Sequence, residues 1–78
     1  MNSIHISTAR KIMQSGEFSI SFLTQKGEQR HIQRAVSLRY DFHTGTRTIK
    51  CIYDDRPPQI RRIRDIFIYE LNDIEVYL

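Results

Sequence analysis

The chain has 78 residues, 12 basic against 9 acidic for a formal net charge of +3, and 40% hydrophobic residues with a single cysteine. A chain this short is one small domain that buries little more than half of its unfolded surface, so efficient packing or self-association must supply its stability. Cys51 alone excludes an internal disulfide, and the lack of an uninterrupted apolar run leads us to expect a cytoplasmic protein with neither signal peptide nor membrane span.

Residues 7–15 read as a short helix, capped by Ser7 or Thr8, with Ala9, Ile12 and Met13 on one apolar face and Gly16 past its end. Two helical turns do not hold alone, so this face must pack on a sheet. Strand 17–24 alternates Phe18, Ile20 and Phe22 with Ser19 and Ser21. A two-residue Lys26-Gly27 turn would set Ile20 against Gln33, out of phase. A three-residue Gln25-Lys26-Gly27 turn pairs Thr24 with Glu28 and Ile20 with Ile32, and puts Gly27 at the left-handed position that this loop requires.

Strand 28–42 contains no Gly, Pro or Asn and carries Ile32, Val36, Leu38, Tyr40 and Phe42 at even positions, interrupted by Arg34. The alternation predicts that the even residues face the core. A strand about twice the usual length has to bend, here near Arg34-Ala35. A Thr44-Gly45 turn leads into strand 46–53, with Tyr40 opposite Ile49, Leu38 opposite Cys51 and Val36 opposite Tyr53. Asp54-Asp55-Arg56-Pro57-Pro58 is a loop, since neither proline fits a central strand. In strand 59–71, Ile60, Ile63 and Ile66 are spaced by three and Ile68 by two, so a bend, bulge or single helical turn near Arg64-Asp65 must reset the phase. An Asn72-Asp73 turn enters a last strand, 74–78.

One short helix followed by a strongly bent antiparallel meander of five or six strands resembles an SH3-like small barrel. The helix-first order resembles the Sm-like version of it. The expected fold is therefore mainly β, a single small-barrel domain over 1–78; the resemblance implies no function. The Arg-Gly-Asn and Tyr-Lys-His triplets of Sm-type RNA binding do not occur. The opening Thr8-Ala9-Arg10-Lys11-Ile12-Met13-Gln14-Ser15-Gly16 and the ending Tyr69-Glu70-Leu71-Asn72-Asp73-Ile74-Glu75-Val76-Tyr77-Leu78 are similar to short uncharacterised bacterial proteins associated with mobile elements, from which no residue role carries over.

No enzyme is expected, and no cofactor or small-molecule substrate. His5, His31 and His43 are scattered, the glycines stand singly in turns, and Cys51 is inward by parity. These ligand types are too few for a metal site, and Asp54-Asp55 reads as a solvated acidic pair. The aromatic residues fall mostly on the apolar parity of their strands, with Tyr69 and Tyr77 as the exceptions.

Charge distribution says more. Residues 26–64 hold ten bases against four acids, whereas residues 65–78 hold four acids and no base. Nine of the 12 bases are Arg, the side chain suited to a bidentate grip on phosphate or carboxylate. Two non-enzymatic readings follow. The first is a binding or assembly module that self-associates through Glu70, Asp73, Glu75 and Tyr77, because the last strand's outer edge has no partner left in the meander. The alternative is weak, sequence-tolerant nucleic-acid binding through Arg39, Lys50, Arg61, Arg62 and Arg64. In the expected register Arg39 lies opposite Lys50, where like charges repel unless an anion intervenes.

Overall fold

Alternating apolar residues make the strands of this protein, and the interruptions of that alternation decide how they curve. The computed structural model describes residues 3–78. In chain order the elements are β1 Ser3–His5, α1 Ile6–Gln14, β2 Phe18–Leu23, β3 Gln29–Asp41, β4 Thr46–Cys51, β5 Gln59–Arg64, a 3-10 turn Asp65–Phe67, β6 Ile68–Leu71 and β7 Ile74–Tyr77. The strands form one seven-stranded sheet in the order β1-β7-β6-β2-β3-β4-β5. All neighbours are antiparallel except the parallel pair β1–β7. The fold is mainly β, as expected, but the sheet is not closed into a barrel: β5 is an open edge.

α1 buries Ile6, Ala9 and Met13 from one face, and Ile12 packs partly against the core. Its cap is His5 rather than Ser7 or Thr8, with Nδ1 accepting the Ser7 N–H at 3.1 Å. The helix covers the inner face of the sheet, where Phe18, Ile20 and Phe22 of β2 meet Ile32, Ala35, Ile49, Cys51, Ile63, Ile68 and Leu71. The β2–β3 hairpin follows the expected register. Ile20 pairs with Ile32, the Thr24 N–H donates to the Glu28 carbonyl at 2.8 Å, and Gly27 has φ 82°.

The even-residue expectation for 28–42 fails beyond Ile32. Phe18 pairs with Ala35 while Ile20 pairs with Ile32, so β3 carries one residue more than β2 over that interval. A second shift inserts Leu38 between the pairs Ser37–Ile49 and Arg39–Thr48. Each bulge adds one residue to one strand and flips every later side chain to the opposite face. Ala35 is therefore buried, Leu38 is 54% exposed, and Tyr40 returns to the inner side opposite Arg47. Phe42, beyond the strand, is 82% exposed. The register with β4 is displaced first at the turn, where Asp41 pairs with Thr46 across four residues rather than two, and again at Leu38: Cys51 faces Ala35, Lys50 faces Val36, and the expected Arg39–Lys50 and Leu38–Cys51 pairs do not form.

The strand expected over 46–53 ends at Cys51, one residue before an in-register hydrogen bond from the Ile52 N–H to the Arg34 carbonyl at 2.9 Å. The strand expected over 59–71 is two strands separated by the 3-10 turn, the phase reset that the isoleucine spacing requires. Asn72 and Asp73 have φ 51° and 65°, the pair of left-handed residues of a type I′ hairpin. The Asn72 backbone N–H donates to the Ser19 carbonyl, and its Oδ1 accepts the Ser19 N–H, each at 2.9 Å. The bare edge expected at 74–78 is covered: Ser3, Ile4 and His5 pair with Glu75, Val76 and Tyr77. Ile4 also packs against the core, so this segment gains both a ladder and apolar burial. No helix is long and apolar enough to cross a membrane among the described residues.

Candidate nucleic-acid interface

Directly paired residues share a face of a sheet, so the register places the basic residues without ambiguity. Arg39, Thr48 and Arg62 form one row across β3, β4 and β5. Val36, Lys50 and Ile60 form the row beside it, and Asp41, Thr46 and Arg64 the row on the other side. The alternation on β4 buries Arg47, Ile49 and Cys51, so these three rows lie on the outer face. Four of the five residues expected to bind nucleic acid, Arg39, Lys50, Arg62 and Arg64, thus share one surface. Arg61 is paired with Ile49 and points inward.

The open edge makes a second, concave surface. A cleft of about 480 Å³ runs between β5 and the β2–β3 hairpin. Its rim carries Lys26, Arg30, Arg61, Arg62 and Arg64, and its floor carries Phe22, Leu23, Ile63 and Phe67. The one acid on it, Glu28, is held by Arg30 at 2.6 Å. Among the described residues, Arg61, Arg62 and Arg64 have no carboxylate within 4.0 Å. Arg61 is half-buried, and its Nε is buried with no hydrogen-bond partner. The contribution of Lys26 and Arg30 is invisible without the bend that brings the hairpin over β5. Arg34, by contrast, bonds Glu17 at 3.0 Å and Asp54 at 3.3 Å, and the hydrogen bond to Glu17 raises its pKa.

Beside β5, where Arg47 pairs with Ile63, the interior holds a polar cluster that the sequence does not announce. Asp65, 3% exposed at the start of the 3-10 turn, accepts from Arg10 Nε at 2.8 Å and from the Tyr40 hydroxyl at 2.6 Å. Arg47, 1% exposed, donates to Ser37 Oγ at 2.7 Å and lies 4.6 Å above the Tyr40 ring. Its Nε and Nη2 have no partner, and neither does Asp65 Oδ1. The hydrogen bond to Asp65 raises the Arg10 pKa, while burial lowers that of Arg47 and raises that of Tyr40. The second bulge of β3 creates the cluster, by returning Tyr40 to the inner face at the position where β4 presents Arg47.

The residues expected to mediate self-association are mostly engaged within the chain. Glu70 pairs with Glu75 across β6 and β7 and accepts the Ser21 hydroxyl at 3.2 Å. Asp73 occupies the hairpin turn. Tyr77 packs edge-on against His5, ring centroids 5.4 Å apart. Ser21 Oγ also lies 2.7 Å from His31 Nδ1. The buried Ser21 hydroxyl thus bridges His31 and Glu70. Among the described residues no group of three or more His, Cys, Asp or Glu is placed to hold a metal ion. Comparison with protein families, curated proteins and solved structures finds no match for this chain.

Proposed function

We propose that this chain is a non-enzymatic cytoplasmic module that grips the phosphate backbone of nucleic acid through β5 and the facing β2–β3 hairpin. One observation carries the reading. Five bases from two distant segments border a single cleft in which the only acid is already paired. Arginines crowded without carboxylate partners repel one another, and an anion laid between them relieves that repulsion. The outer rows extend the positive surface to Arg39 and Lys50. Phosphate contacts carry no base information, so binding would be sequence-tolerant. The same reading takes the meander as an opened SH3-like or Sm-like small barrel. Its support is the helix α1 ahead of the antiparallel meander and a 3-10 turn before the strand that returns to pair with β2.

Fluorescence anisotropy with short oligonucleotides over a salt series tests the proposal. The logarithm of affinity should fall linearly with that of salt, with a slope of about −0.9 per phosphate neutralised on a duplex. Arg62→Ala and Arg64→Ala should each reduce that slope by about one, and Arg56→Ala, in the proline loop, should leave it unchanged. Absence of binding at low salt and high protein concentration refutes the proposal.

A second reading, self-association, is favoured by the same open edge. Ile60 and Ile66 are exposed there, and the acids Glu70, Asp73 and Glu75 sit toward the opposite end of the sheet. It requires a molar mass by light scattering that rises with concentration at low salt and falls when salt is added.

A further inference from the structure

We infer that the cleft between β5 and the β2–β3 hairpin takes one nucleotide of an unpaired strand, with its base on the apolar floor and its phosphate on the arginine rim. This rests on the proposed function and narrows it from nucleic acid in general to the single-stranded form.

Rim and floor have different chemistry. A purely electrostatic phosphate surface needs bases alone, and the outer face of β3, β4 and β5 already offers them on a surface open to a duplex. The cleft adds what a phosphate cannot use: half-buried Leu23 and Phe67, over fully buried Phe22 and Ile63. Its volume of about 480 Å³ lies within the range of small-molecule sites and suits one nucleotide rather than the side of a helix. A duplex hides the faces of its bases in its own stack, so only an unpaired strand can lay a base on that floor. Thr24 and Gln25 border the same cleft and supply hydrogen-bonding groups that any base edge can satisfy.

Binding of a single-stranded oligonucleotide, the duplex of the same sequence and inorganic polyphosphate to the full chain decides the matter. The single strand should bind about tenfold tighter than the duplex, the gain expected from one base stacked on an aromatic side chain. Phe67→Leu, which keeps the floor apolar but removes the ring, should erase that preference and leave duplex and polyphosphate binding unaltered. Arg62→Ala should weaken all three probes alike. Circular dichroism and thermal melting identify any variant that loses the fold, and Phe67→Tyr, which keeps the ring, should retain the preference; its loss there would overturn the stacking. Duplex or polyphosphate binding as tight as the single strand overturns this inference while leaving phosphate binding intact. Failure of all three probes to bind overturns both.

Discussion

The two ends of the sheet solve the same edge problem in opposite ways. At the β7 end, the chain's own β1 covers the ladder, the nearby charges are acidic, and the interior side is apolar. At the β5 end no strand covers the ladder, the charges are arginines, and the interior holds Arg47 and Asp65. A bare edge invites pairing with another chain, and a row of like charges along it discourages that. Arginines on β5 would therefore oppose edge-to-edge pairing of copies and, under the proposed function, draw a polyanion to that end. One end is closed by backbone, the other guarded by charge.

The largest effect should come from the interior of the closed end. Leu71→Ala removes a fully buried side chain from β6 and should cost about 2–5 kcal/mol in denaturant unfolding. Leu38→Ala is the same chemical change on the bulge of β3 at the open end, and should cost less than about 1 kcal/mol. Equal costs would mean that the outer face of β3 is covered in solution.

Next in size is the polar interior of the open end. Asp65→Ala strips Arg10 and Tyr40 of their acceptor and leaves Arg47 deeper in an uncompensated site, at a cost of about 2–3 kcal/mol. Arg47→Met should be neutral or stabilising, because the guanidinium it removes is fully buried with two unpartnered nitrogens. Strong destabilisation by Arg47→Met would show that the cation is compensated in solution and that the open end is not the strained one.

The edges themselves come third. Deleting residues 1–5 uncovers β7 and should raise the molar mass by light scattering above that of the parent, increasingly so with concentration. Arg62→Thr with Arg64→Thr removes the guarding charge from β5 and should do the same from the other side. If neither variant associates, the edges are protected by their curvature rather than by backbone or charge.

Much of this arrangement was legible in the sequence. The Gln25-Lys26-Gly27 turn, the phase break at Arg64-Asp65 and the Asn72-Asp73 hairpin follow from local rules of alternation and left-handed residues. The bulges at Ile32–Ala35 and at Leu38 were not legible, since alternation fixes parity only while the ladder is regular. The sequence shows Leu38 as one more apolar even residue. The connection over residues 42–45, two residues longer than the expected Thr44-Gly45 turn, set Arg39 against Thr48 rather than Lys50 and Tyr40 against Arg47, and so hid the Tyr40–Arg47–Asp65 cluster. It left Arg62 and Arg64 in place, because their positions depend on β5 alternation alone. The N-terminal strand was missed for a different reason: three residues carry too little periodicity to announce a strand, and its partner lies at the far end of the chain.

The smallest effect separates the two interiors by pH. Tyr40 donates its hydroxyl to Asp65 at 2.6 Å, and burial raises its pKa above the ordinary value of 10.0. The fold thus favours the protonated phenol more than the unfolded chain does. Stability from this preference is fully present below pH 10 and is lost as pH rises through the higher folded value. Cys51, whose pKa burial raises from 9.0, acts in the same direction, so the measurement belongs in a Cys51→Ala background. There, Tyr40→Phe should cost about 1 kcal/mol at neutral pH through the lost hydrogen bond, and its alkaline loss of stability should be shallower than that of the parent. Identical alkaline limbs for the parent and Tyr40→Phe would place the Tyr40 hydroxyl in solvent and remove the polar interior from the contrast between the two ends.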